Sequence, residues 1–415
     1  MIEKYLQDYA HYWENSSHEF PFLERKYTPS EKTSRENILD QYLESAKALR
    51  QKKQSGMNIS AEDEKRFLAS TRSFFCQALS FTPRQLDVMF SDTTTEVSRQ
   101  FARQARQFDP SIPFVDILQA GRNVWIMNGL QIVLGVPVKL TPSIFAYSLL
   151  YPYTDNLIDN PDISAAEKII FSDNFHKRLE GLPVQPNNSS EEIIYRLVEM
   201  IEEEFPRPDY PGVYQSLIAI HETQTNSVQL MLPEESLTET EALKIGIAKG
   251  GASVVADGYL VAGHLTREQE DFLFGYGAYL QLLDDIQDVK EDRDAGLKTI
   301  FTRNHMPLEM KINKTWWFGE QVMQRLPLMG GEHLEIFGSL MRKSMDFFII
   351  ESIAQNPDLY HEQYVNAIET FSPFNFGYIQ KQKSQFGPYH GFVLTAMDEV
   401  AFEAREMEGV AAAGC

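Results

Sequence analysis

LTREQEDFLFGYGAYLQLLDDIQDVKED, residues 265–292, decides the fold. Its apolar residues recur at helical spacing, Thr266 and Gln269 form a capping box at its start, and Gly296 stands just past its end. The sequence therefore predicts one long helix of roughly 40 Å, the depth of a domain. Gly275 and Gly277 inside it cost up to about 1 kcal/mol each relative to alanine, so close packing or room for a ligand has to account for them. Placed at about 100° per residue from Asp284, Asp288 falls near 40°, Asp292 near 80°, Asp285 near 100° and Glu291 near −20°, one third of the circumference. Like charges so spaced repel by a few tenths of a kcal/mol per pair, which a helix tolerates in water or with cations. An exposed acidic helix end is the plain alternative. Against it, these acids sit among Tyr279, Leu280, Leu282, Leu283, Ile286 and Val289, with Leu273, Gly277 and Gln281 above them on the same face as candidate pocket residues.

A second acidic group stands in YPYTDNLIDN, residues 151–160, where Asp155 and Asp159 lie four apart, on one helical face and about 6 Å apart along the axis. With no cysteine and no HxxxH or ExxH pair nearby, the donor set is oxygen only, which suits magnesium or manganese rather than zinc or di-iron. Mg2+ takes one or two carboxylates and completes its shell with water and substrate phosphates. Two acidic helices therefore point to a polyphosphate clamped between them through cations, with Asp155, Asp159, Asp284, Asp285, Asp288 and Asp292 as candidate ligands.

The rest of the chain is helical in pattern. Alternating β-branched runs, hairpin signals and repeats are lacking, Thr141 caps a helix with Pro142 at its first position, and LPVQPNNSS and FPRPDYP punctuate loops. Short proline-rich links favour antiparallel neighbours, so the expectation is an all-α antiparallel bundle around a deep central cavity. Residues 1–110 read as accessory N-terminal helices packed outside, 111–400 as the helical domain and 401–415 as a C-terminal tail. The aromatic-rich 371–392 segment is a candidate lid, and His221 is best read as a satisfied core histidine. Across 415 residues, 59 acidic side chains against 38 basic give a net charge of −21, which excludes a general nucleic-acid binder. Two cysteines, Cys76 and Cys415, suit a reducing cytosol, and no apolar run is long enough to span a membrane. A soluble, cytoplasmic protein is expected.

At the acidic motifs the chain resembles the class I isoprenoid synthases. DNLID is similar to their first aspartate-rich motif, and LLDDIQDVKED resembles both the second motif of trans-prenyl diphosphate synthases and the DVxED signature of squalene and phytoene synthases. KGGASVVADGYLVAG, from residue 249, is similar to the lysine-bearing helix that precedes the second motif, and AGRNVWIMNGLQIVLG, from residue 120, resembles the helix that opens the core. The pairing also looks like the bacterial large-terpene synthases. The resemblance covers about residues 115 to 305.

It implies the class I isoprenoid synthase fold and a prenyl diphosphate ionised to an allylic cation with Mg2+ (Mn2+ as the alternative), about three ions accompanying the substrate. Lys249 and Arg122 map to basic diphosphate-binding positions, and Lys290, Arg293 and Lys298 are close enough in sequence to join them. Tyr147 and Tyr151, two turns and one turn before Asp155, are candidates for an aromatic wall around the cation, and Gln224 for a pocket residue. Asn156 stands where chain-elongating enzymes carry a second aspartate, and the arginine pair that follows their first motif is missing. That shifts weight from a prenyltransferase, chain-elongating or head-to-head, toward a one-substrate terpene cyclase or diphosphate lyase. An all-α nucleotide pyrophosphohydrolase and a non-catalytic isoprenoid binder are the readings from other classes, and a homodimer stays open.

Overall fold

Residues 2–55, 57, 60–160, 162–233 and 236–386 are described by a computed structural model, and among them there is no β-strand. In chain order the helices are α1 (Glu3–Asn15), α2 (Pro29–Gln54), α3 (Ala61–Ser73), α4 (Pro83–Met89), α5 (Asp92–Phe108), α6 (Phe114–Val133), α7 (Pro142–Asp159), α8 (Ala165–Leu179) and α9 (Ser189–Glu204). They continue as α10 (Pro211–Ser227), α11 (Glu239–Ala262), α12 (Arg267–Gln287), α13 (Val289–Ala295), α14 (Leu308–Met323), α15 (Leu334–Gln355), α16 (Glu362–Glu369) and α17 (Phe376–Phe386). The protein is all-α, and no described helix is long and apolar enough to cross a membrane.

The helix pair α11 and α12 is the centre. Its members are joined by a short turn and run antiparallel, with Gly258 against Leu273, Gly250 against Gly277 and Gln281, and Gly246 against Asp285. Each step along one helix by four residues is matched by four on the other, so the i±4 ridges of both meet. A Cβ on Gly250 would stand 2.3 Å from the Gly277 carbonyl oxygen, and one on Gly277 would stand 2.1 Å from that of Gly250. The backbones touch there, which accounts for Gly277 by helix packing. Gly275 is accounted for by α1, since a Cβ would lie 2.3 Å from the Tyr9 ring.

Capping chemistry follows the sequence. Thr266 and Gln269 close a capping box on α12, and Thr141 caps α7 with Pro142 in its first turn. Gly296, at φ 77°, ends α13 in a Schellman arrangement, its N–H bonded to Arg293 O and the Leu297 N–H to Asp292 O. The single helix expected through residue 292 is instead broken at Asp288, whose φ of −95° and ψ of 9° separate α12 from α13. Aspartate is a weak interior helix former and the neighbouring acids repel one another, so the break falls where the helix is least favourable. The i→i−4 bonds Asp288 N to Asp284 O and Asp292 N to Asp288 O survive it, at 3.0 and 2.8 Å, so the acids stay on one continuous turn path. Pro152 sits inside α7 without ending it.

The apolar interior does not divide near residue 110. One cluster of buried side chains runs from Tyr5 to Ile379. α1 packs on α11, α12 and α14, with the Tyr5 hydroxyl donating to Glu270, Tyr9 to the Asp271 carbonyl and the Trp13 indole to Thr315. Burying each such aromatic is worth roughly 2–3 kcal/mol, which fastens α1 to these helices. In the 371–392 segment, Phe374, Phe376 and Ile379 are buried and α17 packs on α15, while residues 387–392 and the 401–415 tail lie outside the described residues.

Buried cations tie these layers through carbonyl oxygens left over at helix ends. Lys314 donates to Glu14 O and Ser16 O at the end of α1, Lys32 to Glu369 O at the end of α16, Lys343 to Ser80 O, and Arg35 to Ala78 O. Lys311, fully buried, donates to Ile300 O and Arg303 O and faces Glu239 at 3.2 Å.

Gly250→Ala should therefore destabilise by about 1–3 kcal/mol, the reverse of the usual gain from replacing a helical glycine. Gly377→Ala, in α17 with nothing within 4 Å of the new Cβ, should be neutral or stabilising. Urea melts of both variants check the contrast; equal stabilisation would remove the backbone contact from the account.

Candidate functional site

The i±4 register of α11 and α12 carries a second consequence. It sets Asp285 against Gly246, with Oδ2 3.5 Å from where a Cβ would be, and Gln281 donates to Asp285 Oδ1 at 2.9 Å. Burial pushes the Asp285 carboxyl up to about 8; Gln281 pulls it down, Asp284 and Asp292 push it further up, and Lys249 on α11 pulls it down. Burial likewise raises Asp292 to about 7, with Asp288, Asp284 and Glu291 adding to the rise and Lys249 opposing it. The structure thus brings Asp284, Asp285, Asp288, Asp292 and Lys249 into one electrostatic neighbourhood. Asp284 is exposed, Asp288, Asp292 and Lys249 are half-buried, and Asp285 is buried.

α7 forms the facing wall. It packs on α11 as α12 does, but α7 and α12 share no extensive surface with each other. Asp155 is half-buried; Asp159 is the last residue of α7, and its side chain lies outside the described residues. Asn156 donates to Asp116 Oδ2 on α6 at 2.7 Å, and the Tyr153 hydroxyl donates to Asp109 at 2.5 Å. Among the described residues, no three carboxylate, imidazole or thiolate groups form a ready-made cation cage.

Accessible stripes on α11 and α7 point to a cleft between them. On α11, buried from Ala242 to Leu260 but for Lys244 and one stripe, the half-exposed Ile245, Lys249 and Ser253 recur every four residues. On α7, Tyr147, Tyr151 and Asp155 have the same spacing, and Tyr147 is the accessible residue in the otherwise buried run from Ser143 to Leu150. The two stripes meet, since the Tyr147 hydroxyl bonds Ser253 and lies beside Asp257; burial, reinforced by that carboxyl, holds its pKa well above the ordinary tyrosine value. The α11 stripe ends at Asp257, which is 1% exposed. Asn123 of α6 reaches both Asp257 Oδ1 at 3.5 Å and Ser148 of α7 at 3.2 Å. The cleft is open at the carboxylates and closed at this polar centre, about 12 Å away along α11 from Lys249 to Asp257.

Other sequence candidates are placed as follows. Arg122 is half-buried on α6 next to Asn123, and Gln224 is half-buried on α10. Tyr151 is exposed, Gln281 is half-buried and bonded to Asp285, and Gly277 is in the helix crossing. Lys290 and Arg293 are exposed on α13, with Arg293 in electrostatic reach of Lys311 and Tyr360. The Lys298 backbone N–H bonds Leu230 O at 2.8 Å, stitching the segment after α13 to the one after α10. His221 packs edge-on against Phe175 and bonds the Ser172 carbonyl, and burial lowers its pKa, as befits a satisfied core histidine. Sequence reading missed Asp257, Asn123, Ser253 and Asp116. The signal for Asp257 was present: a lone carboxylate in the apolar run ASVVADGYLVAG, two helical repeats of four beyond Lys249.

Compared with known protein families and with curated proteins, the chain matches none. It is similar to the crystal structure of a geranyltransferase from Legionella pneumophila, with 14% identity and a TM-score of 0.37, over 77% of this chain and 98% of that one. At that score the likeness carries no argument for activity.

The buried centre has a pH signature. Burial raises the Asp257 carboxyl from 3.8 to about 8, with the Asn123 bond opposing. Between those values the folded state keeps a proton that the unfolded chain has released, so the contribution is full at low pH and is lost as pH rises through about 8. Asp257→Asn should remove that slope. Its melting temperature relative to the unsubstituted protein should climb between about pH 5 and pH 8. Parallel Tm-versus-pH curves would mean that Asp257 ionises normally.

Proposed function

We propose that this chain is a Mg2+-dependent class I isoprenoid synthase that ionises a prenyl diphosphate, acting as a terpene cyclase or diphosphate lyase. The observation that carries the reading is the cleft: acids and Lys249 at its mouth, Tyr147 and Tyr151 along one wall, and the buried Asp257 and Asn123 at its far end.

The donors fit Mg2+. Burial raises Asp285 and Asp292, neighbouring acids raise them further, and Lys249 is the cation that opposes the rise. Carboxylate oxygens suit a cation that shares its shell with phosphate and water. Asp155 and Asp159 on α7 and Asp284, Asp288 and Asp292 on the other wall would hold it, and Mg2+ bound with diphosphate supplies charge neutralisation of the leaving group. The chain's own residues do the rest. Lys249 binds diphosphate oxygens beside the acids, with Arg122 the next candidate. Tyr147 and Tyr151 offer ring faces to a cation below the mouth, and the buried apolar walls keep water from it. Asn156 donates its amide to Asp116 on α6, and an amide where chain-elongating enzymes carry a second aspartate favours one substrate over two.

Prenyl diphosphates of ten to thirty-five carbons, offered with and without a five-carbon co-substrate, test the reading by Mg2+-dependent diphosphate release. Asp155→Asn and Asp288→Asn should each lower release by about 100-fold or more with the fold kept. Unchanged release in both variants refutes the assignment. Mg2+ with pyrophosphate should raise the melting temperature more than either alone. Coincident melts in EDTA and in Mg2+ plus pyrophosphate would leave the acids merely solvated.

A further inference from the structure

The closed end of the cleft holds a carboxyl that the proposed ionisation does not use. Lys249, Ser253 and Asp257 form a polar stripe down an otherwise apolar helix, and only the last is fully buried. Among the described residues, Asn123 is the polar partner of Asp257 and no counter-charge acts on it. α6 presents Asn123, and α7 presents Tyr147, its titratable neighbour, and Ser148 through Asn123. α10 contributes Ile220 against Ala256, and α12 contributes Leu273 against Gly258. A structural role alone would be met as well by an apolar residue, without the cost of burying a carboxyl.

We propose that Asp257 is the proton acceptor that ends the reaction, taking a proton from the substrate-derived carbocation at the closed end of the cleft. The inference rests on the function proposed above. Diphosphate departs with the electron pair of the C–O bond and leaves an allylic cation. An Asp257 carboxylate oxygen accepts a proton from the carbon adjacent to the cationic carbon, and the C–H electron pair becomes the new C=C bond. The products are an olefin and diphosphate; the neutral Asp257 then loses its proton to solvent. Asn123, bonded to Oδ1, orients the carboxyl, and Tyr147 is its titratable neighbour on α7. A base works best with a pKa near the working pH, and the raised value of about 8 meets that condition.

The test incubates the full chain and its Asp257→Asn variant with Mg2+ and each prenyl diphosphate of the panel, measuring diphosphate released and the ratio of olefin to water-quenched alcohol. Per diphosphate released, the variant should show an olefin-to-alcohol ratio lower by about 100-fold, whatever its rate. In the unsubstituted protein the ratio should rise with pH and level off above about 8, while the variant stays flat. The same ratio and pH profile in both proteins overturns this inference and leaves the proposed function standing. Absence of diphosphate release from every substrate by the unsubstituted protein overturns both. If the variant does not fold by circular dichroism, the pH profile of the unsubstituted protein decides alone, and a flat ratio refutes the assignment.

Discussion

The backbone contact between Gly250 and Gly277 is the constraint on which the molecule depends. Two long helices meet with no side chain between them, so their register and separation are set by carbonyl and α-carbon rather than by rotamers. That register carries Lys249 to the acids of α12 and α13 and sets Asp285 against the bare backbone of Gly246. α1 locks the pair from outside through Tyr5, Tyr9 and Trp13, and α6, α7 and α10 gather on the other faces of α11.

Around this pair the protein holds polar groups where the apolar interior opposes them. Asp257, Asp285 and Asp292 each have a proton affinity raised chiefly by burial. At the mouth neighbouring acids add to the effect of burial, and Lys249 opposes it. At the closed end burial acts without such acids, and Asn123 opposes it only in part. The two carboxyl environments thus differ in kind, one crowded with other acids and the other set apart from them.

What was legible in the sequence was what short-range chemistry dictates. Thr141 with Pro142, Thr266 with Gln269, and Gly296 mark helix ends because their caps close within a few residues. The all-α class followed from periodicity. The break at Asp288 was not legible, since a circumference drawn at a constant angle per residue has no room for a local change in φ and ψ. The place of α1 in the core was obscured by its charged residues, although Tyr5, Tyr9 and Trp13 share one face with helical spacing. Asp257 escaped because a single acid has no motif; its environment is made by α6 and α7, far away in the chain.

The clasps at helix ends bear on how the molecule meets its surroundings. Lys32, Lys311, Lys314 and Arg35 are buried, so their charge is directed at carbonyl oxygens rather than at the solvent. Buried acids, Asp116, Glu191, Asp257, Asp285, Glu309 and Glu351, offset them, so the outer shell keeps the strongly anionic character that a net charge of −21 implies. Such a surface gathers an atmosphere of counter-ions and turns bare anions away at long range. On the function proposed above, a diphosphate would approach most readily as its magnesium salt, and the rate of encounter would carry the imprint of ionic strength before any residue of the cleft is touched.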